Sequence, residues 1–268
     1  MPIPRLIIQT HRSEDIHPEW RQSWRDFHPD YAYRFFNDAQ CRALIAGQLP
    51  NLLQTYDRLP LPVQKSDLFR YAALYVLGGT YADVDTICCA PLHDYIDMAQ
   101  DHLVAGVEML VTEYGGGPGA YMRYYCVPYQ LLQWTISASP CHPALGALLH
   151  RIRYLVSGMD EAHLAAYSTD IRFTLEVTGP MVFTQVVTGF LDGSQPDATK
   201  VTVLPRLAWG AWHAERDNPA LAHEIKVKHL FEGGWKPGLQ GNPNEALEAV
   251  SDKPGADARL LNYRIRLR

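Results

Sequence analysis

The chain has 268 residues, of which 47% are hydrophobic and 20% charged, as is ordinary for a globular protein. A chain of this length buries roughly 75% of its unfolded surface, so one domain over residues 1–268 is predicted without stabilising cross-links. The formal net charge of -5 argues against nucleic acid as a partner. The five cysteines have no repeated spacing, which excludes a disulfide framework or zinc finger and favours a reducing compartment.

The beginning of the sequence predicts neither a signal peptide nor a membrane anchor. Residues 1–5 lead directly into a short apolar strand, without the apolar stretch of a signal peptide. No apolar run reaches the ~20 residues that a membrane-spanning helix needs. We therefore expect a cytoplasmic protein with no membrane span, while the loss of an anchor from a longer protein stays open.

Alternating strands and helices are predicted in the N-terminal part of the chain. Such alternation is typical of a parallel α/β sheet, in which ligands bind beyond the carboxyl ends of the strands. Gln9, which ends the first strand, and Asp83 should therefore lie in one site. The predicted elements are a strand at 6–8, a helix at 18–27, a strand at 31–36, a helix at 39–46 closed by Gly47, and a connector at 50–61.

The central stretch, residues 65–92, predicts a buried helix, a Gly78-Gly79 break and a strand over residues 80–89. That strand carries Asp83 and Asp85, whose carboxylates can converge on one ion if the strand ends there and the chain turns. Carboxylate oxygens suit Mg²⁺ or Mn²⁺. Two solvated turn acids are the alternative interpretation of the same pattern.

The preceding helix contains a second candidate pair of charges. Asp67 and Arg70 are three residues apart, so they share a helix face and can form an ion pair. On an otherwise apolar helix, such a pair is either a structural salt bridge or part of a polar site.

The C-terminal half gives a weaker pattern. The glycine-rich residues 113–120 predict a mobile lid rather than a phosphate-binding loop, because the Gly-Lys-Ser/Thr ending is missing. Tyrosines at 121, 124, 125 and 129 could stack on sugars or fill the core. The predicted elements are strands at 103–110 and 201–204, helices at 144–156 and 180–191, and a loop carrying Trp209 and Trp212.

The end of the sequence changes character. Residues 237–256 are rich in Gly, Pro, Asn, Asp and Glu and predict a loose loop. Residues 261–268 alternate apolar side chains with arginines, which predicts a half-buried strand. A solvated face explains these arginines, and peripheral contact with anionic lipid stays open.

Residues 66–71 and 78–85 read SDLFRY and GGTYADVD, and together they resemble the DXD sugar-binding region of glycosyltransferases. The pattern is most similar to glycosyltransferase family 32, the group of the yeast initiating α-1,6-mannosyltransferase and the inositol-phosphoceramide mannosyltransferases. The catalytic domains of the large clostridial toxins are more distant relatives. The resemblance covers roughly residues 3–235, with its strongest motifs in the middle.

This resemblance implies a single-domain GT-A fold, an α/β architecture whose mixed, mainly parallel sheet is flanked by helices. It also implies a retaining hexosyl transfer that depends on Mn²⁺ or Mg²⁺. The donor would be a nucleotide sugar, either GDP-mannose or a UDP-hexose. The acceptor would be a hydroxyl of a glycan, a lipid or a small molecule.

The resemblance also assigns roles to individual residues. The implied metal ligands are Asp83, Asp85 and His229, and the implied catalytic residues are Asp67, Arg70 and Asp85. The implied donor contacts are Gln9, Thr10, Ser66, Asp67, Arg70, Tyr81, Asp83 and Trp235, of which Trp235 would meet the departing phosphate.

Two other classes of function fit parts of the sequence. Residues 83–86, DVDT, match the beginning of the nucleophile motif of haloacid-dehalogenase phosphatases, but the apolar strand that this motif requires is missing. A non-catalytic sugar or nucleotide binder on the same fold is the second alternative. It is kept open by departures from the family pattern, namely Ile8, His11, Phe231 and Gly234.

Overall fold

The computed structural model describes residues 1–122, 125, 127–167, 170–191 and 199–233. Its strands are β1 (Leu6–Thr10), β2 (Ala32–Phe36), β3 (Gly79–Ala82), β4 (Thr86–Cys88), β5 (Leu103–Leu110), β6 (Tyr129–Ala138), β7 (Val201–Val203) and β8 (Val227–His229). Its helices are α1 (Pro18–Phe27), α2 (Asp38–Gln48), α3 (Pro50–Arg58), α4 (Pro62–Leu77), α5 (Gly117–Tyr121), α6 (Pro143–Ser157), α7 (Glu161–Tyr167), α8 (Ile171–Val177), α9 (Pro180–Thr188), α10 (Arg206–Gly210) and α11 (His213–Arg216). Trp235, the predicted loop at 237–256 and the predicted strand at 261–268 lie outside the described residues.

A mixed six-stranded sheet forms the centre, in the order β2-β1-β3-β6-β5-β7. β1 is parallel to β2 and β3, and β5 is parallel to β7, whereas β6 runs antiparallel to both of its neighbours. The predicted α/β architecture with a mixed, mainly parallel sheet is therefore confirmed. The expectation that Gln9 and Asp83 lie at one edge of the sheet is confirmed as well, because β1 and β3 end on the same side.

The two faces of the sheet are covered by different helices, since side chains alternate along a strand. Ile8 of β1 packs in the cluster that includes buried residues of α4, α6 and α9. Its neighbour Ile7 packs on the opposite face, in the cluster with Trp24 of α1 and Trp209 of α10. The sheet is thus the middle layer of three.

The predicted Gly78-Gly79 break is present, and its geometry shows why glycines are needed. Gly78 and Gly79 have φ angles of 65° and 96°, values that side-chain-bearing residues rarely adopt. A Cβ atom on Gly79 would lie 2.5 Å from the backbone oxygen of Leu6. The glycines therefore allow β3 to start close against β1.

The predicted single strand over residues 80–89 is wrong, because the chain turns within it. β3 ends at Ala82, and β4 leaves the central sheet to form a separate two-stranded sheet with β8. The turn is held by the carbonyl oxygen of Asp83, which accepts bonds from the Thr86 amide at 3.2 Å and hydroxyl at 2.5 Å. Asp83 and Asp85 lie in this turn.

Three smaller predictions also need correction. Gly47 lies inside α2, which ends at Gln48, and Trp209 lies in the short helix α10 rather than in a loop. The glycine-rich stretch contains α5, and Tyr121 and Tyr125 stack on each other in a buried cluster. These two tyrosines fill core space.

No helix within the described residues has the length and apolar character needed to cross a membrane.

Candidate active site

Gln9 and Thr10 lie at the carboxyl end of β1 and bind protein groups. The Gln9 amide donates to the carbonyl oxygen of Asp83 at 3.1 Å, and its own oxygen accepts from the Tyr33 hydroxyl at 2.7 Å. The Thr10 hydroxyl donates to the carbonyl oxygen of Phe36 at 2.7 Å. Both side chains are buried. Their hydrogen bonds connect the end of β1 to the ends of the neighbouring strands.

Arg70 links the helix acid Asp67 to the first acid of the DXD motif. Its guanidinium lies 3.2 Å from Asp67 Oδ1 and 3.1 Å from Asp83 Oδ1, and it donates to the carbonyl oxygen of Gln133 at 2.8 Å. Asp67 and Arg70 are almost fully buried, with side chains 1% and 5% exposed. The predicted pair is therefore part of a buried network of three charges.

Asp67 also accepts hydrogen bonds from two side chains that lie far from it in the sequence. Gln133 Nε2 donates to Oδ1 at 3.0 Å, and the Thr178 hydroxyl donates to Oδ2 at 2.9 Å. Burial raises the pKa of Asp67 to about 7, although Arg70 and these hydrogen bonds oppose the increase. Gln133 was not predicted as a site residue from the sequence. The signal that could have indicated it is a polar residue within a mostly buried strand.

Tyr81 lies beneath Asp83 rather than at an open surface. Its hydroxyl donates to Asp83 Oδ1 at 2.7 Å, and its ring centroid lies 4.9 Å from the Arg70 guanidinium carbon. The ring is 1% exposed. Burial raises the pKa of Asp83, with Arg70 acting in the opposite direction. Tyr81 and Arg70 thus fix the Asp83 carboxylate from below.

Asp85 and His229 meet because β4 pairs with β8. Thr86 is the register partner of His229 in this pairing, and His229 Nε2 lies 3.2 Å from Asp85 Oδ1. The amide of Glu232 donates to Asp85 Oδ2 at 3.2 Å. Burial by itself raises the pKa of Asp85, but His229 and the hydrogen bonds outweigh it and lower the pKa to about 2.

The three residues implied as metal ligands converge in space. Asp83, Asp85 and His229 each offer one ligand atom, and these atoms all lie within 4.8 Å of one another. Two carboxylate oxygens and an imidazole nitrogen form a donor set that suits Mn²⁺ or Mg²⁺. Three carboxylates with one guanidinium between them also leave negative charge for a divalent cation to neutralise. The residues therefore fit such an ion.

Ser66, one of the implied donor contacts, lines a cleft of about 360 Å³. The cleft wall also contains Cys41, whose sulfur lies 3.1 Å from the Thr10 hydroxyl. None of the acids of the candidate site lines this cleft. The remaining lining residues are Asp38, Ala39, Arg42, Tyr56, Asp57, Pro60, Pro62 and Lys65.

A sequence model of the family described as a glycosyltransferase sugar-binding region containing a DXD motif matches residues 16–103. Residues 16–103 are therefore similar to this sugar-binding region. The resemblance stated from the motif is thereby confirmed, and the matched region includes α4, β3 and the DXD turn. Asp67, Arg70, Asp83 and Asp85 all fall within it.

Curated relatives extend the similarity beyond the DXD region. The initiation-specific alpha-1,6-mannosyltransferase of Schizosaccharomyces pombe is 28% identical over 87% of this chain and 64% of its own length. The protein of the same name from Candida albicans is 28% identical over 88% of this chain and 72% of its own length. The chain therefore spans about two thirds of the length of these relatives.

Solved structures that align with this chain include two that are described as glycosyltransferases. PaToxG glycosyltransferase aligns with 70% of this chain and 70% of its own, at 16% identity and a TM-score of 0.47. The UDP-bound glycosyltransferase domain of the YGT toxin aligns with 70% of this chain and 77% of its own, at 10% identity and a TM-score of 0.47.

Proposed function

We propose that this chain is a metal-dependent, retaining glycosyltransferase that moves a hexose from a nucleotide sugar to an acceptor hydroxyl. The observation that carries the proposal is the convergence of Asp83, Asp85 and His229 beside the buried Asp67–Arg70 pair. Its relatives of similar sequence are named as mannosyltransferases, which favours mannose as the sugar. GDP-mannose is the first donor to test, followed by UDP-hexoses.

Asp83, Asp85 and His229 would hold Mn²⁺ or Mg²⁺ against the donor diphosphate. When bound, such an ion neutralises the negative charge that develops on the leaving group. The side chains of Asp83 and Asp85 are 24% and 16% exposed, so they can be reached from solvent.

Asp67 and Arg70 would act from beneath the donor sugar. Asp67 accepts from three protein groups and is 1% exposed, so its part would be to hold Arg70 and Gln133 in place beneath the sugar. Arg70 keeps Asp67 and Asp83 in a fixed relation, which preorganises the site before the donor binds. The arrangement would thus hold the sugar on one side and the diphosphate on the other.

The transfer would break the bond between the anomeric carbon and the phosphate oxygen and form a bond from that carbon to the acceptor oxygen. The bonding electrons leave with the nucleoside diphosphate. The acceptor proton would pass to the departing phosphate, so the protein need not supply a general base. The transition state would resemble an oxocarbenium ion, as in glycosidases.

The test is a panel of GDP- and UDP-sugars with Mn²⁺, Mg²⁺ or EDTA, read out as nucleoside diphosphate release. Asp85→Asn should lower release by at least about 100-fold, because it removes a charged group at the reacting centre. Asp26→Asn, an exposed substitution in α1, should change nothing. Donor binding without release from any sugar would instead identify a non-catalytic binder. If the protein shows neither donor binding nor nucleoside diphosphate release, the donor site is refuted.

A further inference from the structure

The imidazole of His229 lacks the contact that usually orients a metal-binding histidine. Such histidines almost always donate a hydrogen bond from the second ring nitrogen to a carboxylate, a carbonyl or water. Here Nε2 faces Asp85, and Nδ1 is buried without a hydrogen-bond partner in the described part of the chain. Some other interaction must therefore hold the ring.

Trp134 of β6 provides that interaction. Its indole stacks on the imidazole of His229 with the ring centroids 4.4 Å apart and the planes 16° from parallel. Phe231 contacts both rings, with its centroid 4.1 Å from the imidazole and 5.4 Å from the ring of Trp134. The indole N–H of Trp134 donates to the carbonyl oxygen of Trp209 at 3.1 Å, which fixes the indole itself.

The same residue also holds the second ligand segment. The amide of Asp83 donates to the carbonyl oxygen of Trp134 at 2.8 Å. Trp134 therefore contacts the DXD turn through its backbone and His229 through its side chain. Only the side-chain contact is lost when the indole is replaced, so a substitution tests the stacking separately.

We propose that Trp134 is a positioning residue of the cation site, whose stacked indole presents Nε2 of His229 toward Asp85 and Asp83. This inference rests on the proposed metal site. Residues that orient a metal ligand typically affect metal affinity by about 10- to 100-fold. Trp134 takes this role through an aromatic face in place of a hydrogen bond.

The experiment compares Mn²⁺ binding by wild type, Trp134→Phe and Trp134→Leu, without any donor, from the free-Mn²⁺ signal in electron paramagnetic resonance. Trp134→Leu keeps an apolar side chain but removes the stack, and its Kd should rise by about 10-fold or more. Trp134→Phe keeps an aromatic face and should stay within about 3-fold of wild type. Phe173→Leu, a comparable truncation of a buried aromatic in α8, should bind as wild type does.

A second measurement follows the ring of His229 without a metal. Its carbon-bound protons should be shifted upfield by the stacked indole, and His229→Asn identifies their signals in the NMR spectrum. The shift should be lost in Trp134→Leu and largely kept in Trp134→Phe. Thermal melts of each variant establish that the protein compared is folded.

The outcomes separate this inference from the proposed function. If wild type binds Mn²⁺ and Trp134→Leu binds equally well, the positioning role is refuted and the metal site stands. If Trp134→Phe and Trp134→Leu weaken Mn²⁺ binding equally, stacking is not the cause of the weaker binding. If wild type binds no Mn²⁺ and no upfield shift is present, both the metal site and the role of Trp134 are refuted.

Discussion

The site has two halves that are built differently, a floor and a rim. The floor is Asp67, Arg70, Asp83 and Gln133, carried by α4, the end of β3 and β6 of the central sheet. The rim is Asp85 and His229, carried by the small sheet of β4 and β8. In the floor, Arg70 joins two carboxylates and the carbonyl oxygen of Gln133, whereas the rim contains one ion pair between side chains that are 16% and 11% exposed.

This difference indicates a division of labour. A buried charge network is costly to break, because removal of one partner leaves the others uncompensated. The floor should therefore control folding and the relation between Asp67 and Asp83. The rim, which supplies two of the three proposed cation ligands and contains a single ion pair, should control cation binding with less effect on stability. Substitutions in the two halves should have separable effects.

The largest effect on stability is expected at Arg70. Arg70→Met leaves Asp67 and Asp83 without their shared cation, so the free energy of unfolding should fall by about 3–5 kcal/mol. Urea denaturation measures this change. Arg70→Lys keeps the positive charge and should lose less. A loss below about 1 kcal/mol for Arg70→Met would show that the floor is not a stabilising network.

The two acids Asp85 and Asp67 should respond differently to acid. The pKa of Asp85 is lowered to about 2 in the folded state, so its stabilising contribution is present above the unfolded pKa near 4. This contribution, roughly 2 kcal/mol, should be lost as the pH falls from about 4 to 2. Urea denaturation of wild type and Asp85→Asn across this range should show a larger loss in wild type.

Asp67→Asn provides the matched comparison for the loss of stability between about pH 4 and 2. Because burial raises the pKa of Asp67, this residue is protonated in the folded state below pH 4 and contributes no stabilisation that acid removes there. Asp67→Asn should therefore keep the wild-type loss between about pH 4 and 2. If the free energy of unfolding stopped falling with acid in Asp67→Asn and still fell in Asp85→Asn, the roles assigned to these two acids would be reversed.

The smallest expected effect is at Thr178, at the edge of the floor. Thr178→Val keeps the shape of the side chain but removes the hydrogen bond to Asp67, which should cost about 1.5 kcal/mol because the acceptor is charged. Thermal denaturation measures it. Thr188→Val is the control and should cost less, because the Thr188 hydroxyl bonds neutral groups, the Tyr129 hydroxyl of β6 and the carbonyl oxygen of Thr184. Mn²⁺ affinity should be unchanged in both variants.

Local signals in the sequence were enough for the central part of the site. The spacing of Asp67 and Arg70 on a buried helix, and the Gly78-Gly79 break, follow from short-range rules of helix and turn geometry. The alternation of strands and helices predicted parallel pairing of β1 with β3. Gln9 and Asp83 were therefore expected at one edge of the sheet, where they are found.

Contacts between distant segments could not be derived in the same way. The break between β3 and β4 arises because β4 pairs with β8, a strand more than a hundred residues later. Gln133, Trp134 and Thr178 meet the acids only after β6 and α9 pack on the sheet. No local pattern encodes such neighbours, since they depend on how the elements are arranged in space.

The sequence by itself determined the α/β class, the buried helix with Asp67 and Arg70 on one face, and the DXD motif that follows it. Short-range geometry and side-chain periodicity are sufficient for these features. The tertiary structure decided which groups surround the acids, that His229 faces Asp85, and that an indole orients the imidazole. Burial and long-range packing set the pKa of each acid, and neither exists before the chain folds.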